Sequence, residues 1–320
     1  MRTLPAAGCL LLSALLPVLT ALPAWAGEDP LAGGPPPPAA ATDGTTAVGD
    51  YFAHWSERVH EAQSSQPGWM TPLVTVTPRL EQEVRFDQSW QQLGNGAHVT
   101  NYGGGKGLEL IPTTSNEIII NTPPYLDRTY ARARMVNGLP GEGTGFQDDP
   151  VLLIKQRLLS SPESQGNYIL SAFLGVSAPT AATRFVSAYD TWSVTPTLAA
   201  GKGWGDFDIQ ATVGLQMPMA YASENGNALN SNVAFQYHFE RYFWPELEVN
   251  NTYWTNGPRG GRFQTFITPG IIFGRFGLGD GAKLILGVGY QFAVTPPEDN
   301  LDPLTPLYDR ALLATARVAF

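Results

Sequence analysis

The residue types that could carry nucleophilic or metal chemistry are few in this chain, and none is spaced for it. The four histidines are His54, His60, His98 and His238, and no pair of them forms HExxH or another spacing that would place two imidazoles on one metal. No GxSxG elbow exists, so no serine sits in a context that would raise its nucleophilicity. Gly103-Gly104-Gly105-Lys106-Gly107 imitates a phosphate loop, but no Ser or Thr follows the lysine and no helix pattern succeeds it. Gly201 to Asp206 reads as a tight turn on the same grounds. The single cysteine, Cys9, excludes an internal disulfide or a zinc–thiolate cluster. The expectation is a protein that is not an enzyme, with no catalytic, cofactor-binding or metal-binding residues.

The polar residues are instead ordered by a period of two. Phe207, Ile209, Ala211, Val213, Leu215 and Met217 alternate with polar residues or glycine, as do Val233 to Phe239 and Leu284 to Phe292. Alternation of this kind describes strands with one apolar and one polar face. If the polar faces line an enclosed space, the candidate residues along a solute path are Lys155, Arg157, Asp208, Gln210, Gln216, Gln236, His238, Glu240, Glu246, Glu248, Gln264 and Arg317. Both signs of charge occur among them, so an internal ion-pair network and a solute path are both open readings.

Twelve strands account for the pattern: 83–91, 106–111, 116–122, 150–159, 166–177, 190–200, 206–218, 231–241, 245–254, 262–273, 282–293 and 309–320. Most reach ten residues or more, the length a tilted strand needs to cross a bilayer. Connections after even-numbered strands are short, and those after odd-numbered strands are mostly longer. An even strand count with sorted loops is how an outer-membrane barrel keeps short turns in the periplasm and long loops outside. The longest connection, Pro123 to Asp149, is the best candidate for a loop folded into the lumen. Aromatic residues at strand ends, such as Trp204, Trp244 and Trp254, suit the two interfaces.

The segments outside the strands are distinct. Residues 1–26 read as a signal peptide, with Arg2, an apolar run from Leu10 to Leu22, and Ala24-Trp25-Ala26 before the expected cleavage. Residues 27–47 form a Pro/Gly/Ala-rich linker, residues 48–66 a short amphipathic helix, and 67–320 an outer-membrane barrel. Apolar residues at alternate positions back from Phe320 match a terminal signal for barrel-insertion machinery. No stretch after residue 26 is long and apolar enough for a membrane helix.

Composition agrees. Only 15% of the 320 residues are charged, and the net charge is −9, against roughly 25% charged in soluble domains. An acidic chain lacks the basic footprint of a nucleic-acid binder, so no nucleic acid is expected as a partner. The stretches Leu73 to Asp87, Thr195 to Asp208, and Phe235 to His238 with Tyr242 to Glu246 resemble bacterial outer-membrane proteins grouped with the phenol meta-pathway degradation family. That resemblance implies uptake of a small molecule. The sequence therefore predicts an all-β, closed antiparallel transmembrane barrel of about 12 strands with a short N-terminal amphipathic helix. Its partners would be outer-membrane lipid, the insertion machinery at Phe320, and a small-molecule solute. The expected function is a passive channel for small solutes, aromatic or apolar ones included. The alternative is a closed barrel whose outer loops bind a partner.

Overall fold

A computed structural model describes residues 44–93, 96–103, 106–121, 123–129, 143–146, 149–180, 191–297, 305 and 307–320. The expected signal peptide and most of the linker lie outside them, as do 130–142 and 181–190.

Alternation forces the sheet. The strands are β1 (Glu83–Gln92), β2 (His98–Tyr102), β3 (Leu108–Thr113), β4 (Asn116–Ile120), β5 (Tyr125–Thr129), β6 (Gly143–Phe146), β7 (Asp149–Ser161) and β8 (Tyr168–Ala178). They continue with β9 (Ser193–Trp204), β10 (Phe207–Pro218), β11 (Ala228–Tyr237), β12 (Phe243–Trp254), β13 (Phe263–Gly279), β14 (Ala282–Thr295) and β15 (Arg310–Ala319). All fifteen lie in one antiparallel sheet. It closes because β1 pairs with β15 along its whole length, from Glu83↔Ala319 to Gln92↔Arg310. Closure leaves neither strand with an unpaired edge, the condition for a sheet in lipid.

Fifteen strands occupy twelve wall positions. β2 and β3 are the two halves of one position: β2 pairs with the far half of β1, and β3 with its near half. β4 and β5 form the next position, paired with β3 and β2, and β6 and β7 the one after. With β8 to β15 the wall is a closed antiparallel barrel of twelve strands. The sequence pattern predicts β3 and β4 but treats β2, β5 and β6 as loop. Of the expected inward-folding 123–149 loop, the described pieces β5 and β6 are built into the wall, and 130–142 lies outside the described residues. Glycine and neighbouring residues make the tight turns. Asp280 and Gly281 between β13 and β14 both have positive φ (50° and 83°), as a two-residue hairpin turn of the primed type requires.

The outer face is apolar. Val84, Phe86, Leu198, Leu247, Leu286, Val288 and Leu312 are exposed, while their inward neighbours are buried. In β10, Asp208, Gln210, Thr212 and Gly214 are buried and Ile209, Ala211 and Val213 turn outward. An apolar exterior around a polar interior inverts a soluble protein and is the signature of a barrel in lipid.

Among the described residues two helices precede the wall, α1 (Gly44–Ala53) and α2 (Trp55–Ser64). The chain thus breaks at His54 where a single helix is predicted. Val59 and Ala62 of α2 bury against Leu80 and Ile111, with Trp55 packed beside them. Arg157 at the end of β7 donates 2.7 Å to the Ala62 carbonyl, which places α2 at the short-turn end of the barrel. No described helix is long and apolar enough to cross a membrane.

Candidate functional site in the barrel lumen

The space that the strands enclose holds the chain's own segment Gln66–Gln82, nearly all of it buried. This strap forms no helix and joins no sheet. Its backbone groups must nevertheless be satisfied, because an unpaired buried N–H or C=O is costly. Side chains of the wall satisfy them from two sides.

On one side stand arginines. Arg317 of β15 donates 2.6 Å to the Thr71 carbonyl and 2.9 Å to that of Pro72. Arg85 of β1 donates 2.6 Å to the Leu73 carbonyl. On the other side stand carboxylates of β12. Glu246 accepts from the Leu73 N–H at 3.1 Å, and Glu248 accepts from Val74 and Thr75 at 2.7 and 2.6 Å. Guanidinium groups carry only donors and carboxylates only acceptors, so each grips the matching side of an extended backbone.

The rest of the strap is held likewise. Gln210 accepts from the Thr77 hydroxyl at 2.6 Å and donates 2.9 Å to the Met70 carbonyl. Ser171 donates 2.7 Å to the Pro78 carbonyl, and Arg275 donates 2.6 and 2.9 Å to the carbonyls of Gly68 and Trp69. Glycines make room. A Cβ on Gly270, Gly287 or Gly289 would fall 2.5–2.7 Å from the Leu73 side chain. Gly201 and Gly203 admit the Trp69 ring in the same way.

Within the strap and beside it lies a group of ionic side chains of both signs. Lys155 of β7 pairs with Glu117 of β4 at 2.9 Å, both side chains fully buried, and also donates 3.1 Å to the Arg79 carbonyl. Arg79 pairs with Glu81 at 2.8 Å, and Arg85 with Asp87 at 2.8 Å. Glu83, Lys106 and Glu109 are buried among them. Charges removed from water this completely are retained only when paired.

The predicted lumen residues fall into three groups. Lys155, Arg157, Gln210, Glu246, Glu248 and Arg317 all bond to residues 62–79. Asp208 and Gln236 sit one bond away, each hydrogen-bonded to Gln210 at 3.0 Å. The other four lie apart. His238 stacks on Trp244 at 4.2 Å near a turn, Glu240 is exposed in that turn, and Gln216 is exposed at the loop end. Gln264 accepts 2.7 Å from the Leu307 N–H. The pattern also overlooks Arg85, Glu117 and Arg275. Arg85 carries a usable signal, since it alternates with Val84 and Phe86. Arg275 carries none, because its positive φ of 62° interrupts the alternation.

At the loop end Tyr308 donates to Gln291 and stacks on Phe266 at 4.6 Å; burial pushes its phenol above the usual range. Among the described residues no cluster of three or more His, Cys, Asp or Glu side chains could hold a metal ion.

A closed twelve-strand sheet with an apolar exterior and a polar, strap-filled interior defines a transmembrane β-barrel of the outer-membrane type. The chain belongs to the family described as "Putative MetA-pathway of phenol degradation", whose profile matches residues 88–297. No curated protein matches it. Among solved structures it is similar to an outer membrane channel from Pseudomonas putida F1, at 14% identity and a TM-score of 0.45, over 74% of this chain and 94% of that one. It is also similar to OmpF of Salmonella typhi in complex with daunomycin, at 10% identity and a TM-score of 0.37, over 74% and 96% of the two chains. OmpT of Vibrio cholerae matches at 9% identity and a TM-score of 0.29, over 74% and 97%.

Proposed function

We propose that this protein is a passive outer-membrane channel for small solutes, aromatic or apolar ones included, and that its strap is the gate. The observation that carries this reading is how the lumen is filled. Small eight-stranded barrels fill their interior with the wall's own side chains. Here twelve wall positions enclose a passage wide enough for a whole polypeptide segment, and that segment is held by side-chain bonds and not by the sheet. Contacts of this kind can be exchanged for water one at a time, whereas a sheet ladder cannot. The loop end then faces outside, and the turn end with α2 faces the periplasm.

The test is a reversible lock. Leu73 packs directly over Gly289, and the chain's only cysteine is Cys9. The double variant Leu73→Cys/Gly289→Cys can therefore be cross-linked and released in planar bilayers. The expected outcome is no single-channel steps when oxidised and steps restored by a reductant. Equal conductance in both states would remove the strap as gate. Silence in both states, and in the unmodified chain, would favour a closed barrel acting through its outer loops.

A further inference from the structure

The lumen changes character along its axis. Within and beside the strap it is ionic. Beyond Thr75, toward the loops, the wall offers amides and hydroxyls. Asn232 donates 3.1 Å to the Thr212 hydroxyl, Asn250 donates 3.2 Å to Asn232, and Gln291 donates 3.2 Å to Asn250 and 2.9 Å to Thr268. Tyr308 closes the series on Gln291. Uncharged groups are thus hydrogen-bonded across β10 to β14 in one continuous belt. The adjoining strands β8 and β9 turn Ser177, Ser193 and Thr195 inward. Among the described residues of this half, the charged ones turned inward or at its rim are Arg128 of β5, Arg259 and Arg262 in the turn before β13, and Asp309 before β15.

The belt touches the gate and remains open to water. Asn250 reaches the Thr75 hydroxyl at 3.5 Å, and Asn230, Asn232 and Thr252 are only half buried. Asn232 donates once and accepts once, so a second donor and a second lone pair remain for the lumen, whereas Asn250 and Gln291 spend both donors within the belt and keep one acceptor lone pair each. At the belt itself, beyond the arginines of the rim, an ion would give up hydration among uncharged groups that offer no countercharge. An uncharged solute with several hydroxyl groups loses nothing comparable, since each water it sheds is replaced by an amide or hydroxyl partner.

From this belt we infer that the outer half of the lumen is a recognition site for uncharged, polyhydroxylated solutes, of which sugars and polyols are the chemical type. The inference rests on the channel reading for its role in uptake, though the site itself stands on the belt alone. The test uses the full chain in proteoliposomes, with glucose and glucuronate as a pair of similar size differing in one charge. Glucose should enter at least five-fold faster than glucuronate. Asn232→Lys, or Asn250→Lys should the first fail to fold, places a cation that attracts glucuronate and should reduce that ratio at least three-fold. Glucuronate entering as fast as glucose would overturn the inference and leave the channel intact. If neither enters, the channel reading fails, and saturation-transfer NMR of glucose on the detergent-solubilised protein decides the site. Transfer that is lost in Asn232→Lys supports it, and no transfer to the unmodified chain overturns it.

Discussion

The wall from β8 to β15 and the wall from β1 to β7 follow the same alternation but are held in different ways. The first is eight unbroken strands of 10 to 17 residues, each paired along most of its length. The second covers four wall positions with seven pieces, four of them only four or five residues long. In the unbroken wall at strap level the inward side chains of β13 and β14 are mostly glycine or apolar, among them Gly270, Ile272, Gly287 and Gly289. In the broken wall they are Glu83, Glu109, Glu117 and Lys155, buried. The break before β3 is patched locally: the Gly107 N–H donates 2.8 Å to the Asn121 side chain, and the Gly107 carbonyl accepts 2.8 Å from the Arg85 N–H. The difference teaches that a continuous ladder can leave its lumen side free for packing and recognition. Where the ladder is interrupted, buried ion pairs cross-link the pieces from inside.

The largest effect should therefore come from the ion pair that ties β4 to β7. Lys155→Met leaves Glu117 buried without its cation, a loss of about 3–5 kcal/mol for one partner of a buried pair. The folded band in an unboiled gel should convert at a markedly lower temperature, with most of the loss regained in Lys155→Met/Glu117→Leu. A single variant that melts like the unmodified chain would mean that the broken wall is not held by its charges.

The same contrast explains what could be read from sequence. In the unbroken wall one face meets lipid and the other the lumen, so side-chain type reports face directly. The expected 206–218 and 282–293 differ from β10 and β14 by no more than two residues at any end. In the broken wall His98-Val99-Thr100-Asn101-Tyr102 and Gly143-Thr144-Gly145-Phe146 are too short to show a period, and they pass for loop. The lumen residues were legible as a face, but their task was not. Alternation places Glu248 and Arg317 inside without showing that a strap lies between them. The strap itself has no period, because its backbone is satisfied by side chains of strands up to 246 residues away in sequence.

A smaller effect should be equal in the two regions, and that equality is the point. Leu247 of β12 and Ile154 of β7 both face outward and are 44% and 39% exposed. If both walls lie in lipid, Leu247→Arg and Ile154→Arg should each destabilise the barrel by about 2 kcal/mol, the cost of a cation on a lipid-facing strand. Refolding into lipid vesicles under a urea gradient measures both. A cost at Leu247 with none at Ile154 would place the broken wall outside the hydrocarbon, and the comparison would then be one between a membrane-embedded wall and a solvated one.

The smallest effect falls on the belt of the unbroken wall. Asn232→Ala removes two neutral hydrogen bonds from a half-buried site that water can refill. Each such bond contributes about 1 kcal/mol net, and less where a water replaces the lost partner. The melting temperature of the folded band should therefore move far less than in Lys155→Met, while solute entry through the outer half changes. That dissociation separates a region whose side chains hold the wall together from one whose wall is held by its ladder and whose side chains are free to meet a solute. Were Asn232→Ala to destabilise the barrel as much as Lys155→Met, the belt would be a structural brace like the ion pairs, and the two walls would differ only in the chemistry of their cross-links.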